Sequence, residues 1–169
     1  QTMLECDVPV IAQIDGNCMG AGIEIASCCD VRIASQRARF GAPIAKLGFP
    51  MAPREAALVL HSVGELTARE MLLTAAVFDA DEMLRRGFLN QVVEDGALES
   101  ATQAVLERIQ PLAAQATRLN KKTFRLLTPV HSAHNASNLV ASAYRYADSD
   151  EHREGITAFV QKRSPRFES

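Results

Sequence analysis

Glu24 is the side chain in this sequence best placed to do chemistry. It lies in the run Gly20-Ala21-Gly22-Ile23-Glu24, which follows Pro9-Val10-Ile11-Ala12-Gln13-Ile14-Asp15-Gly16. Those residue types imply a short buried strand, a tight turn and a glycine-opened helix, in that order. The first turn of a helix leaves backbone N–H groups without intrahelical acceptors, and such groups suit an anion. Glycines at the entry let a ligand come close to the backbone. The apolar neighbours Ile23, Ile25 and Ala26 can raise the proton affinity of the Glu24 carboxyl by burying it. A site for a developing oxyanion with an acid or base beside it is one reading. Residue chemistry alone favours the other, a solvated glutamate that stabilises a helix N-terminus.

The elements that would position Glu24 follow from hydrophobic spacing. Val8 to Ile14 reads as a strand and Gly20 to Cys28 as a helix, with Ile23, Ala26 and Ser27 on one side and Glu24 one position round. Asp30 to Ala34 alternates like a strand, with a possible extension strand over Ala38 to Gly41. Arg54 to Ser62 and Glu65 to Leu73 have helical spacing, broken at Gly64. Asp79 is a good N-cap for a short helix that ends at Gly87, and Phe88 to Val93 reads as a strand. This order predicts an α/β layer. Beyond it, helices are expected over 98–109, 113–127, 132–147 and 150–162, bounded in part by Pro111 and Pro129. Leu119, Phe124, Leu126 and Leu127 give the second of these an oily face. The chain therefore divides near residue 95 into an α/β part, 1–95, and a helical part, 96–169.

The bulk composition narrows the classes. The chain has 169 residues, 47% hydrophobic and 22% charged, as ordinary globular proteins do. A net charge of −2 argues against a broad nucleic-acid-binding face. No apolar run reaches the roughly 18 residues of a membrane span. Cys6, Cys18, Cys28 and Cys29 form no C-x-x-C pair and read as reduced thiols of a cytoplasmic protein. His61, His131, His134 and His152 show no metal-ligand spacing with acids or cysteines.

The run from Pro9 to Asp30 resembles the signature of the crotonase superfamily, the enoyl-CoA hydratase/isomerase family. Ala38-Arg39-Phe40-Gly41-Ala42-Pro43, Lys46-Leu47-Gly48-Phe49-Pro50 and the tail from Arg153 to Arg163 fit the same family, in the right order. The resemblance implies the C-terminal part of a crotonase-like ββα superhelix, followed by a helical trimerisation region. It implies an acyl-CoA thioester as substrate, a homotrimer or hexamer, no nucleic-acid or membrane partner, and no cofactor beyond the coenzyme A of the substrate. Glu24 then corresponds to one of two catalytic carboxylates of the hydratases. The Ala21 N–H corresponds to half of an oxyanion hole, a donor worth roughly 3–4 kcal/mol of barrier in enzymes of this kind. Gly20 and Gly22 beside it keep the turn permissive. The other half of the hole would come from a stretch before Gln1, so the chain reads as the C-terminal portion of a larger protein. Residues 1–169 alone would then leave a sheet edge open and hold no acyl-CoA tightly.

Two features depart from or extend the family pattern. Hydratases carry a second glutamate after the proline of the Phe-Gly-x-Pro run, and here that position is Ile44. Hydration needs one group to activate water and one to deliver a proton, so ordinary hydratase activity is not expected. Isomerisation, dehydration, retro-aldol cleavage and decarboxylation stay open. Where the family has a glycine-rich run, this chain has Met51-Ala52-Pro53-Arg54-Glu55. Glu55 reads first as a solvated residue of a helix's first turn, and second as a substitute acid. In the tail, Phe159 and Lys162 are three apart on the expected helix and would share a face. The family resemblance implies contact with the adenine and phosphates of coenzyme A; the alternative is a helix seam and solvent. A non-catalytic acyl-CoA-binding or assembly protein that keeps the fold is the competing class.

Overall fold

The computed structural model describes residues 2–127 and 145–167. After a short helix α1 (Thr2–Glu5), the chain forms β1 (Ile11–Ile14), β2 (Asn17–Met19) and α2 (Ala21–Ser27). It then repeats the pattern with β3 (Val31–Ser35), β4 (Arg39–Gly41), a 3₁₀ turn (Ile44–Leu47) and α3 (Pro53–Val63). β1 pairs with β3 and β2 with β4, both parallel. Each ββα unit thus lays one strand on each of two sheets. α4 (Glu65–Thr74), β5 (Val77–Asp79), α5 (Ala80–Arg85) and β6 (Gln91–Val93) follow. They complete sheets in the orders β1-β3-β6 and β2-β4-β5, with β5 antiparallel to β4.

The rest of the described chain is helical, with α6 (Leu98–Ile109), α7 (Ala114–Leu127), a 3₁₀ turn (Arg145–Asp148) and α8 (Asp150–Val160). Most of the helix expected over 132–147 lies outside the described residues, as do His131 and His134. β2 and β5 were not expected. Three residues are too few for alternation to register, and their pairing is set by β4, which lies between them. The first strand is shorter than expected because Val10 is tied off sideways. Its N–H donates to Asp30 Oδ2 at 2.7 Å, and its carbonyl accepts the Asp30 N–H at 2.8 Å.

The main core joins both units. Ile23, Phe40, Val59, Met71, Met83 and Phe88 are fully buried in it, and Phe40 meets Phe88 edge-on with centroids 5.9 Å apart. A second cluster of Ile33, Leu98 and Val105, with Ile11 and Val31, seats α6 on the first sheet. Arg32 fixes the far end of α2. Its Nε donates to Phe88 O at 2.6 Å, and its Nη1 donates to Cys29 O at 2.8 Å and Ala26 O at 3.2 Å, serving carbonyls that the helix end leaves open. Asp15, at the β1–β2 turn, accepts from Ser35 Oγ and Arg37 Nε, both at 2.7 Å, and these partners hold its carboxyl down to about 2. The Asp79 cap forms as expected, accepting the Glu82 N–H at 2.8 Å.

Lys121 ties the helical region to the α/β layer. This buried lysine of α7 donates to Asp30 Oδ2 at 2.6 Å and to Val8 O at 2.7 Å. Lys121→Ala leaves Asp30 without its cation. The Asp30 side chain is about one-third exposed, so the expected loss lies between the exposed-pair and buried-pair cases, at about 2 kcal/mol. Chemical denaturation reads it directly; an unchanged midpoint would show that the pair adds nothing to stability.

Candidate active site

β2 ends at Met19, and the chain turns through Gly20 into α2. Gly20 has φ 51° and ψ −115°, a left-handed φ that favours glycine. Its N–H donates to Gly41 O at 2.9 Å, which fastens the start of α2 to the end of β4. Its carbonyl accepts from Ile23 N–H at 3.0 Å and Glu24 N–H at 3.3 Å. Of the first-turn donors, the N–H groups of Ala21 and Gly22 are left without an acceptor among the described residues. Gly22 has no positive φ, and a Cβ there would meet only Cys18 Sγ at 3.6 Å, so the turn itself requires only the first of the two glycines.

Glu24 stands one turn into this helix and is half-buried. Its carboxyl is pushed above the usual carboxylate range, first by burial and second by the negative charge of Glu55. Ile23, Ala26 and Ser27 face inward beside it, as the helical spacing predicts. α3 runs alongside α2, and Ser62 Oγ of α3 donates to Ser27 O at 3.3 Å. Pro53 starts α3, which places Glu55 in its first turn, half-buried rather than solvated as first expected. Ile44, also half-buried, opens the 3₁₀ turn three residues past Gly41. That turn and α2 therefore leave the same end of the β2–β4 pair.

The tail residues are placed differently. α8 ends at Val160, so Lys162 is not on the helix and does not share its face with Phe159. Lys162 adopts a left-handed φ of 55°, and its N–H donates back to Phe159 O at 3.1 Å, closing the helix. Both side chains are exposed, Phe159 to 70%. The tail after the helix is instead held by Glu154, which pairs with Arg163 at 2.6 and 2.9 Å and accepts the Arg166 N–H at 2.7 Å. These donors hold the Glu154 carboxyl down to about 2.

Spacing gave no hint of the contact that seats α8. The helix packs on the Ile44–Leu47 turn through two glycines. A Cβ on Gly155 would lie 2.2 Å from Leu47 C, and one on Gly48 would lie 2.1 Å from Glu151 O. His152 joins them, its Nδ1 3.1 Å from Leu47 O and its ring edge-on to Phe49 with centroids 5.4 Å apart. A glycine in a helix interior costs about 1 kcal/mol against alanine, so Gly155 in the pattern was the available signal of a close approach. Its partner, more than a hundred residues earlier, was not readable from it.

A model of the enoyl-CoA hydratase/isomerase family matches residues 1–169. The chain belongs to the enoyl-CoA hydratase/isomerase family. It is 35% identical over 163 residues to a crotonyl-CoA hydratase of Syntrophomonas wolfei, covering 94% of this chain and 61% of that protein. It is 33% identical over 162 residues to an (E)-benzylidenesuccinyl-CoA hydratase of Thauera aromatica, covering 94% and 62%. Among solved structures it is similar to a methylmalonyl-CoA decarboxylase in complex with 2-nitronate-propionyl-CoA, with TM-score 0.90, 26% identity, and 99% and 65% of the two chains covered. The chain thus spans about three-fifths of the length of the curated relatives it matches. The two ββα units are the family's fold, and the Gly20–Glu24 turn stands at the junction of β2, β4 and α2 within it. Among the described residues no group of three histidines, cysteines or acids could hold a metal ion, and no helix is long and apolar enough to cross a membrane.

Proposed function

We propose that this chain carries part of the active site of an enzyme that transforms an acyl-CoA thioester by way of an enolate. The observation that carries the reading is the half-buried Glu24 with raised proton affinity, one turn from the open N–H groups of Ala21 and Gly22. The Ala21 N–H serves as half of the hole for the thioester oxygen, and Gly20 and Gly22 let the thioester reach it. Glu24 moves a proton at Cα or Cβ, or handles water. Phe159 and Lys162 contact the adenine and phosphates of the coenzyme A portion. The reaction is that of a lyase or isomerase, and no group beyond the substrate's own coenzyme A is needed. Relatives named as hydratases and a structural neighbour named as a decarboxylase support this range.

The four free thiols support a cytoplasmic setting, and the exposed Leu126, Leu127 and Val160 of α7 and α8 support assembly as a homotrimer or hexamer. The test is to incubate the full-length protein with a panel of acyl-CoA thioesters and follow product. Binding without any product would favour an acyl-CoA-binding or assembly protein instead.

Ile44 limits plain hydration, because an aliphatic side chain transfers no proton. We expect slow hydration of crotonyl-CoA by the wild type and a gain of at least about tenfold in Ile44→Glu. A wild-type kcat/KM near the diffusional ceiling of roughly 10⁸ M⁻¹s⁻¹ would remove this role for Ile44.

A further inference from the structure

The seam between α2 and α3 has an unusual lining. Two packed helices normally meet through apolar stripes. Here Ser62 of α3 bonds Ser27 of α2, Glu24 stands three residues before Ser27, Glu55 and Ser62 flank the buried Val59, and the charge of Glu55 reaches Glu24. Glu55, Val59 and Ser62 are spaced i, i+4, i+7 and so share one face. The Ser62–Ser27 hydrogen bond fixes the register near the two C-terminal ends. The buried Ser27 hydroxyl has no partner among the described residues. From Ser62 back to Glu55 is about 10 Å along the axis, and from Ser27 back to Glu24 about 4.5 Å, a difference that glutamate side chains can bridge. The two carboxyls therefore converge at the N-terminal end of the seam, beside the turn at Gly20.

We propose that Glu55 is the second acid–base group of the Glu24 site, reaching the substrate from α3 where Ile44 offers no proton. This rests on the proposed role of Glu24. Two carboxyls in a half-buried seam oppose folding, and such pairs are kept where one must hold a proton and the other must lack it. Glu24, whose proton affinity burial raises, is the donor. In hydration of a 2-enoyl thioester, Glu55 takes a proton from water as the water oxygen bonds to Cβ. The Cα=Cβ electron pair moves to form the enolate, and Glu24 gives its proton to Cα. The pair starts with one proton and ends with one, now on Glu55. Among the described residues, the elements packed against α2 bring few titratable groups. β2 carries the Cys18 thiol, pushed up to about 11, and the C-cap of α2 is Cys28, whose thiol is also raised. On α3, Arg54 and His61 are exposed, and Glu55 is the group whose charge Glu24 feels.

The experiment is single-turnover hydration of crotonyl-CoA by the full-length protein, followed against pH, with crotonyl-CoA affinity and thermal midpoint measured alongside. Glu55→Gln should slow hydration by about 100-fold and remove the acidic limb of the pH profile, with affinity within about threefold of wild type. Its thermal midpoint should hold or rise, since a like charge is removed, and Glu55→Asp should recover part of the rate. A merely structural Glu55 would show a lowered midpoint and an intact pH profile. Hydration in Glu55→Gln within about threefold of wild type, with Glu24→Gln slow, would overturn this proposal and leave the role of Glu24 standing. So would a wild type that does not hydrate at all while Ile44→Glu does. Full rates in both glutamine variants would overturn the two roles together.

Discussion

Glu24→Gln is expected to lower turnover of the proposed acyl-CoA substrate by at least about 100-fold while leaving affinity nearly unchanged. Glutamine keeps the size and a hydrogen-bonding end but carries no transferable proton. The Ala21 and Gly22 N–H groups are backbone and survive the change, so the binding of the thioester oxygen proposed for them should persist. The sign of the stability effect follows from the direction of the shift. Burial and Glu55 raise the folded-state proton affinity of Glu24, so its ionisation opposes folding. Stability is greatest below the ordinary glutamate range and falls as pH rises toward the raised folded value. Glu24→Gln removes that penalty, so the variant should be as stable as wild type or more so at neutral pH. Lost activity with retained stability is the signature of a functional carboxyl. An unchanged kcat would take Glu24 out of the chemistry.

Gly155→Ala is expected to unseat α8. A Cβ at this position would lie 2.2 Å from Leu47 C and 2.4 Å from Leu47 O, both backbone atoms of the turn that Ile44 opens. No rotamer relieves a clash between a Cβ and a main chain, so the helix must move or the turn must deform. We expect a loss of about 3 kcal/mol, at the upper end of ordinary overpacking. Hydrogen exchange of the α8 amides should accelerate with it. Gly22→Ala is the contrast, because its Cβ would find Cys18 Sγ at an ordinary 3.6 Å; its midpoint should stay within about 0.5 kcal/mol of wild type. Equal stability of Gly155→Ala and wild type would show that α8 is not held by this approach.

The sequence by itself determined the family, the order of the larger elements and the residues of the Gly20–Glu24 turn. Each is a local property. The run Gly20-Ala21-Gly22-Ile23-Glu24 encodes its own helix entry, the spacing of Ile23, Ala26 and Ser27 fixes which side of α2 is buried, and Asp79 caps the helix that follows it. Such signals act within one or two turns of chain and can be read there. Tertiary structure decided what lies between elements. β2 and β5 exist because β4 offers them partners, not through any pattern of their own. Lys162 leaves the helix because the Phe159 carbonyl captures its N–H at the end of α8. Gly48 meets Gly155, and Lys121 meets Asp30, across gaps of about a hundred residues for which spacing carries no information. Glu55 illustrates the same limit within the site. On its own helix it is an ordinary first-turn glutamate, and only the side-by-side packing of α2 and α3 brings its negative charge to bear on Glu24, whose proton affinity is raised first by burial and second by that charge.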